Sequence, residues 1–148
     1  PGARYVVQER ELAFAHRDNE RIRASYMPKN FDPVSDAGLW DLVDGAAEIV
    51  PGVRVEPTPG HTPHHQSVLI ESAGETACFL ADLIPTSAHL RLPWIMGYDL
   101  EPLVTLESKR GLLERAKVED WLLIFEHDPV VPWGRLDPAE KRPTLRDE

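Results

Sequence analysis

Apolar residues along this chain come in short runs separated by polar turns, and only one stretch keeps a helical period for more than two turns. Arg4 to Val7 reads as a short strand, and Gln8 to Ala15 as one or two helical turns in which Leu12 and Ala15 share a face. From His16 to Pro33 the periodicity dissolves into charges and turn residues, with prolines at 28 and 33. That predicts a long loop, serving either as a pocket wall or as a solvated connector. Trp40–Val43 and Ala46–Val50 flank Asp44-Gly45, where glycine supplies the positive φ of a type I′ turn, so a hairpin is expected there. Val53–Glu56 follows as another short strand. His65–Glu71 and Glu75–Ala81 form a second hairpin around Ser72-Ala73-Gly74.

The clearest helix runs from Leu103 to Ala116, with Leu103, Leu106, Leu112, Leu113 and Ala116 near helical spacing and Pro102 suited to the first turn. Trp121–Phe125, an unbroken apolar run, predicts a strand buried on both faces. The charges and prolines from Asp137 onward predict a frayed tail over 137–148. Strand, helix, hairpins, helix and strand in that order, without an internal repeat, give an α/β (α+β) layer architecture with a mixed sheet.

Composition narrows the function classes. With 42% hydrophobic and 28% charged residues, the 148-residue chain reads as one globular domain able to bury a core. Its opening residue is Pro1, and the chain enters a strand almost at once, so preceding polypeptide is expected. Sixteen Lys and Arg against 25 Asp and Glu leave a charge of −9 without a basic stripe, which argues against a nucleic-acid partner. The lone Cys78, inside the apolar Thr76–Leu80 segment, excludes a disulfide framework and reads as a buried, inert thiol. No run approaches the roughly 18 apolar residues of a membrane span, and no signal-peptide pattern occurs. A cytoplasmic protein without a membrane partner is expected.

The candidate chemistry lies in Thr58-Pro59-Gly60-His61-Thr62-Pro63-His64-His65, in the apolar run ending at Asp82, and in the run ending at His127. Imidazole and carboxylate at strand ends suit a borderline cation such as zinc, and strand ends hold ligands rigidly. The alternatives are a turn histidine bonded to backbone for His61 or His127, and a turn-capping role for Asp82. An ionised Asp after Cys78-Phe-Leu-Ala favours a cation partner.

Taken together, Thr-Pro-Gly-His61-Thr-Pro-His-His, Phe79-Leu-Ala-Asp82-Leu and Phe125-Glu-His127-Asp-Pro resemble the C-terminal half of the metallo-β-lactamase fold hydrolases. The resemblance covers about residues 1 to 130 and implies half of an αββα sandwich with flanking helices. It implies that His61 binds a first metal, that Asp82 bridges two, and that His127 binds the second. The implied cofactor is a pair of divalent metal ions, zinc by preference. The implied reaction is hydrolysis of an ester, lactone or thioester of a small-molecule substrate through metal-bound hydroxide.

The family's His-x-His-x-Asp-His motif is absent from these 148 residues. The expectation is therefore a C-terminal half-domain over 1–148, a fragment of a hydrolase that is inactive and metal-free alone. The competing expectation is a non-catalytic half-domain that acts as an association or dimerisation module, which would make a homo-oligomer. The resemblance further implies a small residue where His64 stands, so that His64 lies on the surface, the favoured placement, or near the pocket, and it implies a structural role for His65. In the lactonases of the family a tyrosine follows the bridging Asp, where this chain has Leu83-Ile-Pro-Thr-Ser. His89 and Tyr98 are the candidate substrate contacts. Trp94, Met96 and Tyr98 form an apolar loop that lines a pocket or packs in a core or oligomer contact. Asp128 either orients His127 or caps the turn before Pro129.

Overall fold

The computed structural model describes residues 2–146. Its larger sheet has six strands in the order β3-β4-β5-β6-β7-β8, with β3 Ala47–Val50, β4 Val53–Pro57, β5 Gln66–Ser72, β6 Glu75–Phe79, β7 Leu122–Ile124 and β8 Trp133–Arg135. All neighbours are antiparallel except β6 and β7, which run parallel because the chain crosses between them through α3, Pro102–Val118. The β5–β6 turn is tight: Ser72 pairs with Glu75, and both intervening residues, Ala73 and Gly74, have positive φ, as a type I′ hairpin requires.

The expected hairpin across Asp44-Gly45 does not form. Gly45 has the positive φ (94°) that the turn chemistry suggested, but the strands it joins belong to different sheets. β2, Trp40–Val43, pairs in parallel with β1, Tyr5–Gln8, whereas β3 pairs with β4. Turn residues specify a change of direction, not the partner on either side. Between β1 and β2 lie α1, Glu9–Ala15, and two short helical pieces, Pro28–Asn30 in 3₁₀ form and α2, Asp32–Asp36. The first lies inside the predicted loop, and the second begins at its last two residues.

The core lies between α3 and one face of the large sheet. Leu69, Cys78 and Leu123 are aligned across β5, β6 and β7 and are at most 1% exposed. Leu112, Leu113 and Ala116 close over them, joined by Leu80, Ile84, Trp121 and Phe125. Each such fully buried aliphatic side chain contributes about 2 kcal/mol. Cys78 is inert here, since burial pushes its thiol up to about 12. The strand at 121–125 is fully buried on this face only. Leu122 and Ile124, on the other face, are half-buried, and their neighbours Ile70 and Trp133 are exposed.

The buried stripe of α3 differs from the apolar pattern. Leu103 is 78% exposed, and the stripe is Thr105, Lys109, Leu112, Leu113 and Ala116. Its spacing is helical, but its N-terminal half is polar because that half docks on backbone rather than on hydrocarbon. The expected frayed tail is also tied down as far as it is described. Asp137 N–H donates to Thr144 O, Arg146 N–H donates to Arg135 O, and Leu145 packs on the core. Residues 147 and 148 lie outside the described residues.

Gly60 is where the sheet and α3 meet. Its φ is +134°, and a Cβ there would stand 2.3 Å from Thr105 N and 2.4 Å from Thr105 Cα, both backbone atoms. Gly60→Ala is expected to destabilise the chain by at least about 2 kcal/mol, from strain and overlap together. Urea unfolding would measure it, and a loss below about 0.5 kcal/mol would mean that this contact is not rigid.

Candidate metal centre

His61 sits in the loop between β4 and β5, and three bonds fix that loop to the start of α3. Leu100 N–H donates to His61 O (3.1 Å), Glu101 N–H donates to Gly60 O (2.9 Å) and Ser108 Oγ donates to Pro59 O (2.7 Å). Asp82 lies in the 3₁₀ turn Ala81–Leu83 directly after β6. Ala81 has φ +48°, so the backbone before Asp82 is held in a left-handed conformation that costs a non-glycine residue about 1 kcal/mol. His127 follows β7, and its N–H donates to Pro85 O at 3.0 Å. The three residues predicted as ligands thus converge from two strand ends and a β4–β5 loop.

Their spacing is specific. His61 Nε2 lies 3.4 Å from Asp82 Oδ2, and His127 Nε2 lies 3.2 Å from Asp82 Oδ1. Both separations exceed the roughly 2.9 Å of an ordinary N–H···O bond. Two donors each bound at about 2.0–2.1 Å to one tetrahedral zinc stand about 3.3–3.4 Å apart. Each imidazole therefore faces a different carboxylate oxygen at the separation of two ligands on a common cation. The donor set suits zinc or another borderline cation. Glu126, which motif reasoning passed over, also brings a carboxylate oxygen within 4.8 Å of donor atoms on Asp82 and His127.

Asp99 is the other residue that motif reasoning missed. Its carboxylate, with 1% of the side chain exposed, accepts a hydrogen bond from His61 Nδ1–H at 3.0 Å. That bond places the free lone pair on Nε2, toward Asp82, and fixes the ring plane. It lies 38 residues from His61 in the chain, so no local pattern announces it. The Asp99 hydrogen bond, with the charges of Asp82, Asp99 and Glu11, raises the His61 pKa against the opposing effect of burial.

The other histidines have separate tasks. His65 Nδ1 faces Thr58 O (3.0 Å) and Thr58 Oγ1 (2.9 Å), and burial lowers its pKa, so it is a neutral ring packed edge-on to His61 at 6.0 Å. His64, expected on the surface, is half-buried on a cavity wall, drawn toward α1 because its N–H donates to Glu11 Oε2. His89 lines the same cavity, with Nδ1 2.7 Å from Thr86 Oγ1. Tyr98 stands at the rim, 75% exposed. Asp128 takes the capping role. Its Oδ1 accepts the N–H groups of Val130 and Val131, and its Oδ2 accepts the N–H and hydroxyl of Ser87, which hold its carboxyl well below the usual range.

The cavity measures about 980 Å³ and opens over His61, Asp82 and His127. Ile22 and Tyr26, from the segment expected to be a loop, form one wall, and Ile95, Met96 and Tyr98 form another. The 16–33 segment is therefore a pocket wall rather than a connector. Met96 faces this cavity. Trp94 is outside it, half-exposed under the Arg91 guanidinium at 5.0 Å. No helix among the described residues is long and apolar enough to cross a membrane.

The mixed sheet and the carboxylate set between two imidazoles agree with the fold class that the motifs led us to expect. The sequence profile of the metallo-beta-lactamase superfamily matches residues 4–127, and the chain belongs to that superfamily. An N-acyl homoserine lactonase from Bacillus thuringiensis is 34% identical over 126 residues, which are 83% of this chain and 46% of that protein. The chain spans about half the length of the curated relatives it matches. The structure of a probable metal-dependent hydrolase from Staphylococcus aureus superposes with a TM-score of 0.85 at 27% identity, over 97% of this chain and 52% of that one. An N-acyl homoserine lactone hydrolase with its product N-hexanoyl-L-homoserine at the catalytic metal centre superposes at 0.64 with 28% identity, over 84% and 46%.

The raised His61 pKa has a definite sign. Without metal, a folded pKa above the unfolded value of about 6.5 gives stability that is fully present below that pH and lost as pH rises through the folded pKa. NMR titration of metal-free protein is expected to place His61 above His65, whose pKa is lowered. Asp99→Asn should bring His61 down toward its ordinary value. A His61 titration unmoved by that substitution would show that the bond does not form in solution.

Proposed function

We propose that this chain is the part of a metal-dependent lactone hydrolase that carries one ligand for each of two divalent cations and the carboxylate shared between them. His61 would hold one cation, His127 the other, and Asp82 would serve both. The observation that carries this reading is the pair of separations, 3.4 and 3.2 Å, from opposite oxygens of one carboxylate to two imidazole nitrogens. When bound, such a pair of cations lowers the pKa of water and polarises a carbonyl oxygen. Asp99 keeps the His61 tautomer that offers Nε2 as donor. The remaining ligands would come from polypeptide outside these 148 residues, in keeping with the share of its relatives that the chain spans.

The cavity supports a small acyl substrate. Its apolar walls at Ile22, Ile95 and Met96 suit an alkyl chain, and His64, His89 and Tyr98 supply polar contacts near the centre. A lactone is favoured over a simple ester or thioester because the curated relatives are N-acyl homoserine lactonases. Leu83-Ile-Pro-Thr-Ser occupies the stretch where the resemblance implies a tyrosine in the lactonases, and this departure counts against the lactone.

Asp82→Ala tests the assignment. Elemental mass spectrometry on protein purified without chelators should show metal content falling to near zero, because both cations lose a shared ligand. In the intact enzyme, opening of N-hexanoyl homoserine lactone should fall by at least about 10³-fold, as expected when the groups that stabilise developing charge lose their anchor. Full metal content in the variant would sink the bridging role. A wild-type enzyme that cleaves thioesters but leaves the lactone untouched would sink the substrate class.

A further inference from the structure

Lys109 is the residue of α3 that the metal chemistry leaves unexplained. It is 0% exposed, and its Nζ donates to three backbone carbonyls of one turn: Arg91 O at 2.6 Å, Trp94 O at 2.8 Å and, more weakly, Leu92 O at 3.4 Å. A buried cation is costly unless every proton is used, and here all three have an acceptor. An apolar residue at this point would leave the same carbonyls without donors. Burial pushes the ammonium down to about 8, and the charge of Asp99 opposes that fall.

The turn that Lys109 holds begins a segment without strand or α-helix that runs to the start of α3. The segment then lines the cavity with Ile95, Met96 and Tyr98 and ends at Asp99. Asp99 bonds His61 Nδ1, its own N–H donates to Met96 O, and Leu100 N–H donates to His61 O. One side-chain anchor comes from outside, Arg21 to Gly97 O at 2.7 Å. Lys109 is thus the buried fixed point at one end of the segment, and His61 lies at the other. A rigid support of this kind is what holds a ligand-orienting carboxylate within a fraction of an ångström.

We propose that Lys109 is a positioning residue for the metal centre: through the Arg91–Trp94 turn it sets where Asp99 meets His61 and where the cavity wall stands. The role goes beyond holding the fold, because it acts on the orientation of one imidazole. It bears on catalysis only if His61 is a metal ligand, as proposed above, but the coupling to His61 exists without that reading.

The test uses the full 148-residue chain with ring-¹⁵N-labelled histidine. In the wild type, the His61 Nδ1–H bonded to a carboxylate should give a downfield proton signal that Asp99→Asn abolishes. Lys109→Met is expected to broaden or abolish the signal and to weaken zinc binding by about ten-fold, the lower end of what loss of outer support costs. Lys109→Arg keeps the charge and so protects the fold. Its planar fork cannot send three donors to carbonyls that converge on one nitrogen, so the signal should shift without disappearing. If Lys109→Met does not fold, Lys109→Arg decides. A folded variant whose His61 signal and zinc affinity both match the wild type overturns the proposal, leaving Lys109 a packing residue. Loss of the signal in Lys109→Met upholds the positioning role even where the wild-type chain, without the ligands proposed to lie outside it, binds no zinc.

Discussion

The contact on which most of this structure depends is the meeting of the Gly60–His61 backbone with the first turn of α3. No side chain fits between them, since any Cβ at position 60 would overlap Thr105. Two backbone hydrogen bonds and one from Ser108 then lock the loop to the helix start. Because α3 is also the crossover between β6 and β7, this single contact ties the His61 loop to the strands that carry Asp82 and His127. The three donors hold a common geometry because one helix touches the supports of all three.

The centre is asymmetric in its surroundings. On the His61 side, Asp99 and the α3 docking leave 17% of the imidazole exposed, while the His127 ring is 54% exposed and is held chiefly through its backbone. Burial strengthens the electrostatics around His61 and makes its tautomer a fixed property of the fold. The His127 side is tied instead to the 85–89 segment, by its own N–H to Pro85 O and by the Asp128 clamp on Ser87. That arrangement keeps the Asp82 turn, His89 and His127 in one local unit.

Much of this was readable in the chain because it is local. His61, Asp82 and His127 stand out by residue type at the ends of apolar runs, and the β5–β6 hairpin follows from a turn that is short and rich in positive-φ residues. What escaped was non-local. Asp99 has no sequence neighbour that points to His61. Lys109 looks like a solvated charge on a helix, and only the convergence of carbonyls from another segment makes its burial sensible. Asp44-Gly45 announced a bend in the chain but not the hairpin, because the parallel pairing of β1 with β2 depends on which distant strand is free. The same physics explains α3, whose buried stripe is obscured in the sequence because two of its five positions serve backbone polar groups.

The two sheets differ sharply in how firmly they are held. In β1 and β2 the only buried residue is Gln8, which bonds Gly45 and Gln66 rather than packing against hydrocarbon. A two-stranded ribbon of this kind opens at low cost compared with the six-stranded sheet. His61, Asp82 and His127 all belong to the larger sheet and its loops, whereas the Ile22 and Tyr26 wall of the cavity lies in the excursion between the strands of the ribbon. The cavity wall at Ile22 and Tyr26 can therefore yield while His61, Asp82 and His127 keep their mutual positions.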